Sequence, residues 1–130
     1  MDYTYARVFG RPFDQVVEAT IAALGRHGFG VLSDIDVAAT MKRKIGADMR
    51  PYRILGACNP GMAHKALQAE PRIGVMLPCN VIVHQTGDDA VEVAAVDPVA
   101  SMQAIENPAL AETAGAVRAA LRSAVDEIVV

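Results

Sequence analysis

The segment VIVHQTGDDAVEVAAV, Val81 to Val96, constrains the fold more than any other stretch of the chain. Two β-rich runs flank Thr86-Gly87-Asp88-Asp89, a turn composition that joins adjacent strands as a hairpin. A hairpin makes its two strands antiparallel neighbours, so the sheet that contains it is not the wholly parallel sheet of repeated strand–helix units.

The elements upstream alternate. Tyr3 to Phe9 suits an opening strand, with Tyr3, Tyr5 and Phe9 placed to pack on one face, and Gly10-Arg11-Pro12 breaks it. Phe13, Val16, Val17, Thr20, Leu24 and His27 recur at helical spacing, Asp14 and Glu18 suit the helix start, and Gly28 is the stop. Phe29 to Asp36 follows as a strand with Phe29, Val31, Ser33 and Ile35 expected on one side. Asp36 can cap a short helix in which Val37, Met41 and Ile45 share a face, ending at Gly46. Tyr52 to Cys58 is the next strand. Asn59-Pro60 then combines a capping side chain with a proline at the first helical position, and Glu70-Pro71 ends that helix. Arg72 to Gln85 reads as a strand interrupted at Pro78. Asp97-Pro98 and Asn107-Pro108 repeat the cap-plus-proline start. The last helix runs from Pro108 to about Glu127, with Leu110, Ala114, Val117, Leu121, Val125 and Ile128 along one stripe.

The order is β-α-β-α-β-α-β-β-α-α. It predicts a single α+β domain over residues 1–130, a mixed sheet with helices mostly packed on one face. Tyr52 to Val83 is expected to be a right-handed crossover between parallel strands. Such a sheet leaves a face needing cover, and a homodimer is the simplest way to supply it.

Composition narrows the function. Hydrophobic residues are 52% of the 130 and charged ones 21%, which is the balance of a folded core. A net charge of −3 argues against a nucleic-acid partner. The densest basic cluster, Lys42-Arg43-Lys44 with Arg50 and Arg53 nearby, reads as a solvated helix end complementing the dipole. With no leader-like or membrane-length apolar stretch, the chain is expected to be soluble and cytoplasmic, without a membrane partner.

The two cysteines, Cys58 and Cys79, each precede an asparagine. Cys58 ends a strand beside the start of a helix, where free N–H groups and the dipole favour a thiolate. The plainer account makes it a small hydrophobe at a strand end. Pro78 cannot donate to a sheet ladder and implies a bend that re-aims Cys79 and Asn80. If the two strands are neighbours, Cys58, Asn59, Cys79 and Asn80 meet in one cleft, with the asparagines as donors and acceptors. Asn59 also has an ordinary role as a helix cap. A Cys₂His₂ set with His64 and His84 has no finger or ribbon spacing, and copper(I) on the thiols with Met62 or Met76 is chemically sensible but thinly supported, so no metal or other cofactor is assigned.

The segments GACNP and LPCN, with FGVLSDIDVAATMKRKIG before them and VEVAAVDP after, resemble the family called domain of unknown function 302. The similarity runs from about Tyr3 to Val125. Cys58, Asn59, Pro60, Pro78, Cys79 and Asn80 match its signature positions, whereas His64 and His84 fall outside them. The resemblance implies a small, self-associating α+β protein and no particular activity. No acid/base constellation or nucleotide-binding motif stands out, which places a conventional enzyme behind other roles. The first expectation is a ligand- or metal-binding module with a cleft at the Cys-Asn pairs. The alternatives are a thiol-based redox or sulfur-handling protein using Cys58 and Cys79, and a structural domain with inert core cysteines.

Overall fold

A computed structural model describes residues 2–130. Its elements are β1 (Thr4–Phe9), α1 (Phe13–Arg26), β2 (Gly30–Asp36), α2 (Val37–Ile45), β3 (Tyr52–Cys58), α3 (Pro60–Ala69), a 3-10 helix (Pro71–Met76), β4 (Cys79–Gly87), β5 (Ala90–Val96), α4 (Pro98–Ser101) and α5 (Pro108–Asp126). The predicted α+β class and element order hold, with the 3-10 helix added.

Local chemistry sets the boundaries. Asp36 accepts from Ala39 N at 2.9 Å, and Gly46, at φ +69, ends α2 in the left-handed region that glycine tolerates. Asn59, Asp97 and Asn107 each cap the helix that their following proline opens. The hairpin between β4 and β5 falls at the expected turn.

The sheet order is β1-β5-β4-β3-β2, and every neighbouring pair is antiparallel. The mixed sheet and the parallel crossover are therefore corrected. Ala57 pairs with Cys79, so β4 starts at the level where β3 ends and runs back beside it. The chain between them is an excursion that leaves and re-enters at the same end of the sheet. The residues expected to begin the returning strand form the 3-10 helix instead, and β4 begins just after the cis Leu77–Pro78 peptide.

One sheet face carries the main core. Leu55, Val81, Val83 and Val93 are fully buried there against Val16 and Leu24 of α1 and Leu121 and Val125 of α5. Each such side chain contributes roughly 1.5–3 kcal/mol. A second cluster, Ala66, Ile73, Met102, Leu110 and Ala114, gathers α3, the 3-10 helix, α4 and α5 beyond it. The opposite sheet face carries an apolar row in register across all five strands: Ala6, Ala94, Ile82, Ile54 and Ile35. No helix of the described residues is long and apolar enough to cross a membrane.

Two expectations of side-chain placement change, those for β2 and Tyr3, and the shared apolar face of α2 lies on the surface. A bulge between Val31 and Ser33 switches faces within β2, so Val31 packs on the core while Ser33 sits over Gly56 on the other side. Helix α2 has no buried residue, and its apolar Met41 and Ile45 are exposed. Tyr3 is exposed as well, leaving Tyr5 and Phe9 to pack against the core.

Gly56 permits the close approach of Pro78 to β3. A Cβ there would meet Pro78 Cγ at 2.7 Å and collide with Ser33 Oγ. Gly56→Ala is expected to destabilise the fold by about 1–3 kcal/mol in a denaturant titration. Adding Ser33→Ala should restore only part of the loss, because the proline ring cannot rotate away; full recovery would show that the ring does not press on β3.

Candidate functional site

Where β3 ends and β4 begins, α3 folds back over the sheet end and α5 passes beside it. The two apolar clusters do not fill the space between them. A cavity of about 320 Å³ remains, walled by Phe29 and Ala57 from the sheet side, Met62 and Ala66 from α3, and Leu110 and Ala114 from α5. No side chain in its wall is charged; the polar contributors are Asn59, Thr113 and the two thiols.

Polar ties hold these walls apart. Asn107 donates from Nδ2 to Ala69 O at 2.9 Å, fixing the start of α5 to the end of α3. Asp97, buried at the end of β5, accepts from Val99 N at 2.9 Å and so caps α4. Its Oδ2 also faces Arg118 at 3.2 Å and Arg122 at 3.4 Å, both on α5. The carboxylate thus binds α4 and α5 to the sheet just outside the cavity.

Cys58, Asn59 and Cys79 all border the cavity. Cys79 lies beneath the excursion, buried in the main core, while Cys58 is half-buried beside it; both are free thiols. Asn59 Oδ1 accepts from Met62 N at 3.2 Å. Its amide nitrogen lies only 3.1 Å from where a Cβ would project at Gly28, whose φ of +84 already favours glycine. Asn80 departs from the expectation of a common cleft. Strand alternation turns it away from Cys79, and it is exposed across from Gly56.

The imidazoles are elsewhere. His84 pairs with Glu92 at 2.8 Å and packs against Tyr52, His64 is exposed on α3, and His27 contacts Glu127. Among the described residues, no three His, Cys, Asp or Glu side chains gather closely enough to hold a metal ion. The Lys42-Arg43-Lys44 cluster lies exposed in the last turn of α2, with Lys42 pairing to Asp48 at 2.8 Å.

The α5 wall, including Thr113, Ala114 and Val117, was missed as part of a site because its stripe has the spacing of an ordinary core helix. The available signal was the small residues, Ala63 and Ala66 on α3 and Ala114 on α5, where larger side chains would close the gap.

Burial, and secondarily the nearby Cys58, pushes the Cys79 thiol up to about 11 from 9.0. Native Cys79 then carries roughly 100-fold less thiolate than an ordinary cysteine near neutral pH, and is expected to resist iodoacetamide at pH 8 until the chain unfolds. Mass mapping checks this. The same shift disfavours the ionised form only in the folded state, so stability is retained below about pH 9 and falls between about pH 9 and 11. Cys79→Ala should flatten that limb of the pH profile.

A family model described as domain of unknown function DUF302 matches residues 5–128. The crystal structure of an uncharacterized conserved protein DUF302 from Bacillus stearothermophilus superposes with a TM-score of 0.91 at 26% identity, covering 99% of this chain and 100% of that one. A comparison with curated proteins gave no match.

Proposed function

The chain belongs to the DUF302 family, and from the geometry of its cavity we propose that it is a binding module, holding a small ligand between the sheet end, α3 and α5. The observation that carries this reading is the uncharged cavity itself. At about 320 Å³ it falls within the range of small-molecule sites, roughly 300–1,000 Å³. Keeping such a space open forgoes packing that larger residues at Ala66 or Ala114 would supply. An apolar wall with one amide, one hydroxyl and two thiols selects an uncharged or soft ligand and rejects ions that need hydration. A thiol-redox role draws less support, because burial keeps Cys79 protonated near neutral pH.

The test uses Nile red, a neutral apolar dye, as the probe. Saturable binding with a blue-shifted emission is expected from the folded protein. Ala114→Leu, which places extra methyl groups in the cavity, should remove it while leaving the folded circular dichroism spectrum unchanged. Undiminished binding by a folded Ala114→Leu protein would place the dye elsewhere and sink the reading.

The open sheet face supports a second element of the proposal, a homodimer. The registered row Ala6, Ala94, Ile82, Ile54 and Ile35 is the pattern of a sheet that packs against another sheet. The neighbouring polar side chains, His84 and Glu92, hydrogen-bond to each other at 2.8 Å, so nothing in that row selects an oppositely charged partner. The wild-type protein should therefore elute as a dimer in light-scattering chromatography, and Ile82→Lys should convert it to a folded monomer. A monomeric wild type would remove this element without touching the cavity.

A further inference from the structure

The polar side chains in the cavity wall, the weakly bonding thiols aside, are already committed to the protein itself. The Thr113 hydroxyl donates to Ala109 O of its own helix at 3.3 Å. Asn59 gives its oxygen to the Met62 N–H at 3.2 Å, and its amide nitrogen lies against Gly28. A heteroatom carried into this space would lose its water and find no strong partner. On one side the wall is a stripe of α5, Leu110, Ala114 and Val117, which covers two turns, about 10 Å at 1.5 Å per residue. The rim is apolar as well. Leu32 and Leu67 both border the cavity, yet they are 70% and 40% exposed. Leu32 owes that position to the β2 bulge. Val31 pairs with Ala57 and Ser33 with Gly56, so Leu32 is the residue without a partner, and the irregularity presents a large apolar side chain to water beside the opening.

We infer that the cavity's ligand is an unbranched hydrocarbon chain, as a fatty acid or a long-chain alcohol carries, with the chain inside and its polar head in water at the Leu32 rim. This deepens, and rests on, the reading of the cavity as a binding site. A methylene chain asks nothing of a wall whose polar groups are committed, whereas a polar ring would bury unpaired donors or acceptors. Packed at the density of a protein interior, roughly ten to fourteen carbons fill the cavity of about 320 Å³. Extended, such a chain is longer than the α5 stripe, so its head end emerges where Leu32 and Leu67 offer further apolar surface. With no charged side chain in the wall, the head group contributes little, and chain length sets affinity.

The experiment is a calorimetric titration of the full chain with straight-chain alkanoates of six to sixteen carbons, each below its micelle concentration, and with dodecanol as the neutral arm. Affinity is expected to rise about fourfold for each added methylene. It should level off at roughly ten to fourteen carbons. Dodecanol and dodecanoate should agree within about threefold. Ala114→Leu, which excludes the bulky dye, should move the levelling point about three carbons shorter. Leu32→Ser, at an exposed position where folding is not at stake, should weaken dodecanoate by about threefold to tenfold. Affinity independent of chain length, a levelling point unmoved in a folded Ala114→Leu protein, or a carboxylate strongly preferred over the alcohol would overturn the inference. Nile red is titrated in parallel. Dye binding without alkanoate binding discards the chain and leaves the cavity reading intact, whereas failure of both discards both.

Discussion

The pairing of Ala57 with Cys79 governs the rest of the molecule. Because β3 ends and β4 begins at that one level, the whole stretch between them must be accommodated at a single end of the sheet. A ten-residue helix and a six-residue 3-10 helix fold there as a cover, not as a crossover along the sheet. The cover brings a second apolar cluster with it, and the seam between that cluster and the main core is the cavity. The same closure places both cysteines at one end of the sheet, since each marks an end of the excursion.

The seam persists because its walls are pinned by polar bonds at the rim. Asp97 is the clearest case: one buried carboxylate caps α4 and faces two arginines of α5. Removing such a carboxylate would leave two helix N–H groups unmet, whereas the half-exposed arginines would turn to water. Asn107 does similar work between α3 and α5 with a single amide bond. With the rim fixed, the alanines inside can stay small without the helices collapsing onto the sheet.

Local features were legible in the sequence because their causes are local. A capping side chain followed by proline specifies a helix start wherever it occurs, and Asn59, Asp97 and Asn107 all act that way. Strand polarity is a different matter. The residues from Cys58 to Cys79 carry the same helix and break whether the chain returns parallel or antiparallel, so periodicity could not reject the crossover. The β2 bulge also lay out of reach: one unpaired residue moved Ser33 and Ile35 to the far face while leaving the strand pattern intact. For the site, Cys58, Asn59 and Cys79 could be singled out because they stand at chain reversals. Asn80 failed by a single step of strand alternation. Thr113 and Val117 were hidden because a helix stripe reads the same whether it faces a filled core or an empty space.

Arg7 has a consequence for how the chain comes to be folded. Its guanidinium donates to the carbonyls of Val125 at 2.7 Å and Asp126 at 2.9 Å, so the opening strand fastens the end of the final helix. Tyr5 adds a bond of 2.6 Å to the Asp126 carboxylate. Among the described residues the strand has only β5 as a sheet neighbour, and β5 comes late in the sequence. During synthesis β1 therefore lacks its sheet neighbour until β5, more than eighty residues further on, has been made. The edge strand must wait for the hairpin that receives it, so the sheet is completed by its first-made strand.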